Sequence, residues 1–217
     1  MIVDLVDAMR CIRPHEPTAL ITSVDRLTGR GIITGALGCP VCDARYPVID
    51  GVAVFDPTWY ARCRAAPATP PAQDADVIRV AALLDLTDPA GLVLLEGVAA
   101  AVAPSLHALL GTALVLLNPL GPASGDGDLS VVYGPVAPFA PASLRGAALG
   151  PAPDPSVVDS VTAALRPGGR LMAPVSLAVP PGVTELARDA HGWVGVRRTE
   201  PSATPVSLSR GPRQGSA

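Results

Sequence analysis

The chain has 217 residues, of which 49% are hydrophobic and 16% charged, so it is too apolar for a disordered protein and has room for one large domain or for a small and a medium one. A formal net charge of -3, a pI near 5.5 and 3% aromatic residues offer neither a basic surface nor many stacking rings, so we expect no direct nucleic-acid partner. All 16 basic residues are arginine, which we interpret as coding bias.

No apolar stretch reaches the roughly 18 residues needed to cross a bilayer, since runs such as 90–95 and 113–117 have only the length of a strand. The first ten residues carry Asp4 and Asp7, where a signal peptide has a positively charged segment. We therefore expect no membrane span and a cytoplasmic location.

Residues 1–57 contain short apolar segments that favour extended structure. Turn signals at Thr28-Gly29 and Asp50-Gly51 separate segments that lie at 19–24, 31–34, 46–49 and 52–55. This alternation predicts a small β-rich domain at 1–57. Alanine, proline, threonine and glutamine then crowd together without apolar periodicity, so we place a linker at 58–75.

Beyond the linker, helical periodicity alternates with strand-length apolar runs. The first predicted helix covers 76–86 with Asp74 as its N-cap. Further helices are predicted at 99–110 and 156–165, and strands at 92–95, 113–117, 129–133, 147–149, 170–175, 193–198 and 205–209. The alternation predicts an α/β domain at 76–210, with a mostly parallel sheet covered on both faces, and then a disordered tail at 211–217.

Four potential metal ligands form two close pairs, Cys11-x3-His15 and Cys39-x2-Cys42. Each tight turn can direct two soft ligands at one point, and thiolate and imidazole ligands at these spacings favour zinc. Two alternatives stay open: an exposed His15 and a buried Cys11 without an ion, or a disulfide between Cys39 and Cys42, which a reducing cytoplasm disfavours. Cys63 lies outside the spacing and is predicted to be a packed or surface thiol.

Residues 38–52, Gly-Cys-Pro-Val-Cys-Asp-Ala-Arg-Tyr-Pro-Val-Ile-Asp-Gly-Val, closely resemble the second half of the small zinc-ribbon family that includes the activator subunit of tRNA and protein methyltransferases. Members of that family read Cys-x2-Cys, then Tyr-Pro-Ile, then Asp-Gly-Ile-Pro. The resemblance covers about residues 1–57 and implies a zinc-ribbon domain. The chain departs from the family at Pro14, which stands where a second thiol is expected, so His15 has to substitute as a ligand.

Two segments farther along carry a second resemblance. Residues 166–171, Arg-Pro-Gly-Gly-Arg-Leu, resemble the turn that leads into the fifth strand of class I S-adenosylmethionine (SAM) methyltransferases, where proline ends a helix and the glycines permit a positive φ. Residues 136–144 are similar to the family segment before the fourth strand. The resemblance covers about 76–210 and implies a Rossmann-like methyltransferase sheet that is mostly parallel, with an antiparallel final strand.

The cofactor contacts that this resemblance implies are incomplete. In the family, the first strand ends in an acidic residue and spaced glycines, so that the backbone and a helix N-terminus face SAM. Glu96 and Gly97 match this pattern and would bind the cofactor if SAM binds. Side chains replace the spaced glycines at Val98, Ala100 and Val102, and we expect them to fill the pocket beneath the first strand.

Two other contacts of the family are also absent. The second strand ends in Asn118-Pro119 in place of an acid that holds the ribose hydroxyls, and Gly134-Pro135 stands where an aspartate would meet the adenine. We therefore predict that SAM binding is lost. The alternative is an intact SAM-binding site formed by residues that differ from the family pattern.

Three functions fit these patterns. The first is a noncatalytic methyltransferase-like protein, with zinc but without SAM, that acts as a structural or adaptor subunit of a protein assembly. The second is a divergent SAM-dependent methyltransferase, which needs an open cleft at the end of the first strand with Glu96 directed into it. The third is a zinc-ribbon activator of a separate methyltransferase, which needs a free edge strand on residues 1–57. We predict the first and expect no catalytic residue.

Overall fold

The computed structural model describes residues 1–125 and 129–199, and its first part is a group of short strands. A short helix, α1, is followed by strands β1 to β4, at Leu5–Ala8, Ile21–Thr28, Gly31–Gly38, Arg45–Ile49 and Val52–Val54. The four strands match the four predicted segments, but β1 and β2 run farther than expected. Residues such as Asp25 and Arg26 can extend β1 because it is an exposed edge strand and needs no apolar alternation.

Helix α2 (Pro57–Ala65) begins at the last residue of the predicted domain 1–57 and continues into the predicted linker. It starts where the side chain of Asp56 accepts hydrogen bonds from the N–H groups of Thr58 and Trp59, and Pro57 occupies the first helical position. The first half of the predicted linker at 58–75 is therefore helical.

The rest of the described chain alternates helices with strands. In chain order the elements are α3 (Asp74–Leu83), β5 (Leu92–Glu96), α4 (Ala103–Leu110), β6 (Ala113–Leu117), β7 (Leu129–Tyr133), β8 (Leu144–Ala148), α5 (Pro155–Ala164), β9 (Leu165–Ala173), β10 (Val183–Arg188) and β11 (Trp193–Arg197). The bounds of β6 and β7 are those predicted from the sequence.

Several predicted elements differ from the structure. The N-cap of α3 is Gln73, and Asp74 is the first helical residue, because the side chain of Asp76 accepts from the Gln73 N–H in a capping box. A 3₁₀ helix at Gly97–Val102 precedes α4, where one continuous helix was predicted. Strand β9 starts earlier than expected and β10 was not predicted. The predicted strand at 205–209 and the predicted tail at 211–217 lie outside the described residues.

Within residues 1–125 and 129–199, eleven strands form one mixed sheet in the order β1-β2-β3-β4-β7-β6-β5-β8-β9-β11-β10. Strands β4 to β9 pair in parallel across the middle, whereas β1 to β4 pair antiparallel. Strand β11 lies antiparallel to β9, whereas the strand predicted to come last, at 205–209, lies outside the described residues. The chain moves from β5 to β6 and β7 on one side and then to β8 and β9 on the other, so the strand order reverses between β5 and β8.

The helices cover the sheet on both faces. Helices α1 and α5 contribute Leu5 and Val158 to one core cluster, whereas α2, α3 and α4 contribute Cys63, Val80 and Leu106 to the other. Both faces of the central strands are buried, which explains their continuous apolar runs. In the described segments, no helix has both the length and the apolar character needed to cross a bilayer.

The N-terminal part shares its sheet and one core cluster with the rest of the chain. Strand β4 pairs in parallel with β7, and the Arg10 N–H donates to the carbonyl of Pro138. The Ile2 N–H donates to the hydroxyl of Ser130. Separate folding of a zinc-ribbon domain at 1–57 and a methyltransferase-like domain at 76–210 therefore stays a prediction.

Candidate metal centre and strand-end cleft

The structure brings the four predicted metal ligands together. The ligand atoms of Cys11, His15, Cys39 and Cys42 all lie within 4.8 Å of one another. Cys11 and Cys39 are buried, His15 is half-buried and Cys42 is exposed. All four cysteines of the chain are free thiols, so the alternative of a Cys39–Cys42 disulfide is not observed.

Two hairpin-like turns hold the ligands. In the first, the Cys11 N–H donates to the carbonyl of Thr18, next to the antiparallel bridge between Arg10 and Ala19. In the second, which joins β2 to β3, the Cys39 N–H donates to the carbonyl of Ala44. Backbone hydrogen bonds therefore close each of the two turns.

The distances within the cluster match a tetrahedral zinc site. Zinc bonds of about 2.3 Å to sulfur and about 2.0 Å to nitrogen place tetrahedral ligands about 3.5–3.8 Å apart. The sulfur atoms of Cys11 and Cys42 are 3.7 Å apart, and Cys39 Sγ lies 3.5 Å from His15 Nε2. These two opposite edges of the tetrahedron fit zinc without rearrangement.

The hydrogen bonds of His15 prepare its ring for metal binding. Its Nδ1 lies 2.7 Å from the carbonyl oxygen of Glu16. A carbonyl only accepts, so Nδ1 carries the proton and the lone pair of Nε2 faces Cys39. His15 can therefore supply the ligand that is missing at Pro14, where the zinc-ribbon family has its second thiol.

The surroundings of Cys11 favour the thiolate that zinc requires. Burial raises the pKa of Cys11, but hydrogen bonds from the Tyr46 hydroxyl, the Arg13 N–H, His15 and Cys39 outweigh it and lower the pKa to about 6. Burial raises the pKa of Tyr46, so its hydroxyl stays protonated and donates to Cys11 Sγ over 3.2 Å. Cys63 is buried in the second core cluster and takes no part in the group.

A cleft of about 450 Å³ lies at the carboxyl ends of the parallel strands. Glu96 ends β5 and Asn118 follows β6, next to the point where the strand order reverses, which is the usual ligand position of an open α/β sheet. Helix α2 closes another side. The lining consists of Trp59, Arg62, Cys63, Ala66, Glu96, Gly97, Asn118, Leu120, Ala152 and Asp154.

The acidic residue of the cleft is bound to the chain's own backbone. Glu96 Oε2 accepts a hydrogen bond of 2.9 Å from the N–H of Gly150, which follows β8. Burial raises the pKa of Glu96, and the Gly150 hydrogen bond offsets only part of this effect. Gly97 has a φ of 58°, and the space where its side chain would stand is open.

We expect Glu96→Gln to stabilise the chain increasingly as the pH rises above the ordinary carboxyl range. A raised pKa means that the folded state binds this proton more tightly than the unfolded state, so Glu96 costs stability as the pH rises through that window. Glutamine cannot titrate, yet its side-chain oxygen can still accept from Gly150. Thermal unfolding of both proteins between about pH 4 and pH 7 tests this prediction. A difference in Tm that does not change with pH would contradict it.

Asn118 is also committed to internal hydrogen bonds. Its Nδ2 donates to the carbonyl of Gly134 over 2.8 Å, and its Oδ1 accepts from the Gly134 N–H over 2.9 Å. The side chain is 2% exposed, so it has little surface left for a ligand. Asn118 and Gly134 stand where the family has its ribose and adenine contacts, and here they are hydrogen-bonded to each other.

The side chains predicted to fill the pocket do not occupy the cleft. Ala100 and Val102 are buried in the core cluster that packs against α3 and α4, and Val98 is half-buried. Because Gly97–Val102 forms a 3₁₀ helix, the side chains of Ala100 and Val102 turn into the core after the strand ends. The prediction that they leave no room at the end of the first parallel strand is wrong.

The contribution of α2 to the cleft was not predicted from the sequence. Trp59 and Arg62 line it, and the Arg62 guanidinium carbon stacks 3.8 Å above the Trp59 ring. Asp56 followed by Pro57 is a helix-start signal that indicates α2, but the apolar periodicity of the segment is too weak to show which face is buried.

Comparisons with known proteins find distant structural matches. No family model matches the chain, and no curated protein matches it. Geranyl diphosphate C-methyltransferase from Streptomyces coelicolor A3(2), in a complex with S-adenosyl-L-homocysteine, is 13% identical with a TM-score of 0.39, over 46% of this chain and 42% of that one. Haemonchus contortus phosphoethanolamine N-methyltransferase 2, in a complex with SAM, is 13% identical with a TM-score of 0.40, over 55% and 33%. The chain spans less than half of the length of either protein.

Proposed function

We propose that this protein is a noncatalytic, zinc-binding methyltransferase-like subunit of a protein assembly. The single observation that carries the proposal is that the polar side chains at the strand ends are hydrogen-bonded to the chain's own backbone. Glu96 binds the N–H of Gly150, and Asn118 binds both backbone groups of Gly134. A nucleoside would have to displace these hydrogen bonds or bind without them, and leaving such buried groups unpaired is costly.

The zinc in this proposal is structural. Cys11, His15, Cys39 and Cys42 supply four protein ligands, which completes a tetrahedral shell and leaves no position for a substrate or a reactive water. The ion would tie together the turn after Cys11 and the turn between β2 and β3. It would stabilise the end of the sheet that carries β1.

Calorimetry with SAM tests the noncatalytic assignment. Titration of the zinc-loaded full chain with SAM is expected to give no binding isotherm. A known SAM-dependent enzyme in the same buffer serves as the positive control. A clear isotherm with a dissociation constant in the micromolar range would refute the proposal.

A divergent SAM-dependent methyltransferase is the second candidate, and the open cleft favours it. Glu96 and Gly97 line this cleft, and the positive φ of Gly97 leaves room for a ligand to approach the backbone. If this candidate is correct, SAM binds and Glu96→Ala abolishes the binding. An unchanged affinity of the variant would count against it.

The third candidate, an activator of a separate methyltransferase, is supported by the edge strand β1. In the described residues β1 pairs only with β2, and Ile21, Val24 and Leu27 are exposed along it. Such an edge can accept a strand from a partner. At its other side, however, the N-terminal part pairs through β4 with the chain's own β7, which weakens this candidate.

A further inference from the structure

The thiols of Cys11 and Cys42 form the accessible edge of the proposed metal site. Their sulfur atoms are 3.7 Å apart. Of the four ligands, Cys42 is the exposed one, whereas Cys11 and Cys39 are buried. An oxidant that arrives from solvent therefore meets Cys42 first and has the Cys11 sulfur directly behind it.

We propose that Cys11 and Cys42 are a peroxide-sensitive pair whose oxidation releases the zinc ion. The inference rests on the proposed zinc site. A disulfide needs a sulfur separation of about 2.05 Å, so the two sulfur atoms have to approach by about 1.7 Å. Cys42 lies in an exposed turn, where a side-chain rotation can supply this movement.

The reaction balances with hydrogen peroxide as the oxidant. The Cys42 thiolate attacks one peroxide oxygen, the O–O bond breaks, and a sulfenic acid and a hydroxide form. The Cys11 thiolate then attacks the Cys42 sulfur, the S–S bond forms, and a second hydroxide leaves. Two sulfur atoms lose two electrons in total, and the two hydroxides take up protons to become water. Only Cys39 and His15 then remain as zinc ligands, so the ion dissociates.

Loss of the ion would reach beyond the site through the segment that carries Cys11. The Arg10 N–H donates to the carbonyl of Pro138, and Met9 forms a bridge with Phe139. The turn after Cys11 is thus attached to the connection between β7 and β8. Oxidation is therefore expected to loosen both the β1 edge and this attachment.

Zinc release under peroxide tests the proposal on the full chain. The zinc-loaded protein is treated with increasing hydrogen peroxide in the presence of a chromophoric chelator, and the disulfides are then mapped by mass spectrometry. We expect one zinc ion released per chain together with a Cys11–Cys42 disulfide. A thiol reductant and added zinc should restore the bound ion.

Two variants serve as matched comparisons. Cys63→Ser removes a buried thiol outside the metal cluster and should leave the release rate unchanged. Cys42→His keeps a fourth ligand but removes the accessible thiol, and should slow peroxide-driven release by at least about tenfold if thiolate access sets the rate. Disulfide mapping of the unmodified chain decides the question even if this variant fails to bind zinc.

The outcomes separate the switch from the zinc site. A chain that binds no zinc at all contradicts the metal site. A chain that keeps its zinc under peroxide, or that forms a Cys39–Cys42 disulfide instead, contradicts the switch alone. Oxidation of Cys42 to a sulfinic acid without a disulfide would also overturn it.

Discussion

Cys39→Ser is expected to reduce bound zinc from one ion per chain to a small fraction and to lower the thermal stability of the protein. Cys39 is 3% exposed and lies at the start of the turn between β2 and β3. A serine hydroxyl at this position cannot replace a thiolate ligand. A change beside a ligand already costs about 10- to 100-fold in metal affinity, and removal of a ligand costs more.

The expected loss of stability follows from the segments that a bound zinc ion would hold together. The first core cluster contains Cys11 and Cys39 together with Leu20, Leu37 and Tyr46, so the two turns around the site form part of a packed core. Structural zinc contributes about 10–16 kcal/mol of apparent binding free energy in small zinc fingers. In this larger chain we expect a loss of at least about 3 kcal/mol, in the range typical of a lost structural metal.

Metal analysis after dialysis and thermal unfolding with and without a chelator measure both effects. The matched control is Cys63→Ser, which makes the same change at another buried thiol. This control should retain one zinc per chain. A Cys39→Ser protein that holds its zinc, or that unfolds at the same temperature as zinc-loaded wild type, would contradict the role assigned to the cluster.

The two pairs of potential metal ligands were predictable because each pair depends on a local spacing. Cys39 and Cys42 stand at a spacing that one turn can close, and the Asp50-Gly51 signal marks the hairpin that follows. For His15, the spacing alone does not tell where Nε2 points. The carbonyl of Glu16, which fixes that direction, can be located only in the folded chain.

The sheet is predictable where a strand is apolar and continuous. Strands β6 and β7 are such segments, and their bounds were predicted correctly. Strand β10 was not predicted because it lacks an apolar run. It lies at the end of the sheet order, and most of its residues are exposed. The pairing of β4 with β7 depends on contacts between residues about 80 positions apart, which no local pattern encodes.

The local structure and hydrogen bonds around the cleft were also not predictable from the sequence. The resemblance to a methyltransferase implied roles for Glu96 and Val98, but it did not predict the 3₁₀ helix at Gly97–Val102. Equally, the sequence gives no sign that Asn118 is bound to Gly134. The proposal that cofactor binding is lost therefore rests on these internal hydrogen bonds and not on the side chains that replace the family's glycines.

Gly51→Ala is expected to destabilise the chain by at least about 3 kcal/mol, the range of severe single substitutions. Asp50 and Gly51 have φ values of 50° and 77°, which makes the link between β3 and β4 a two-residue hairpin turn with positive φ at both positions. A non-glycine residue in this conformation costs about 1–2 kcal/mol. In addition, a methyl group at position 51 would overlap the carbonyl oxygen of Gly125.

Gly29→Ala isolates the contribution of that overlap. Gly29 has a φ of 56° in the turn between β1 and β2, and no atom lies within 4 Å of the position of an added methyl group. This control should therefore lower the free energy of unfolding only by the backbone term of about 1–2 kcal/mol. Urea unfolding of both variants measures the difference. Because Gly51 joins the N-terminal strands and Gly125 precedes β7, an equal loss in the two variants would mean that these parts of the chain do not pack as closely as the shared sheet requires.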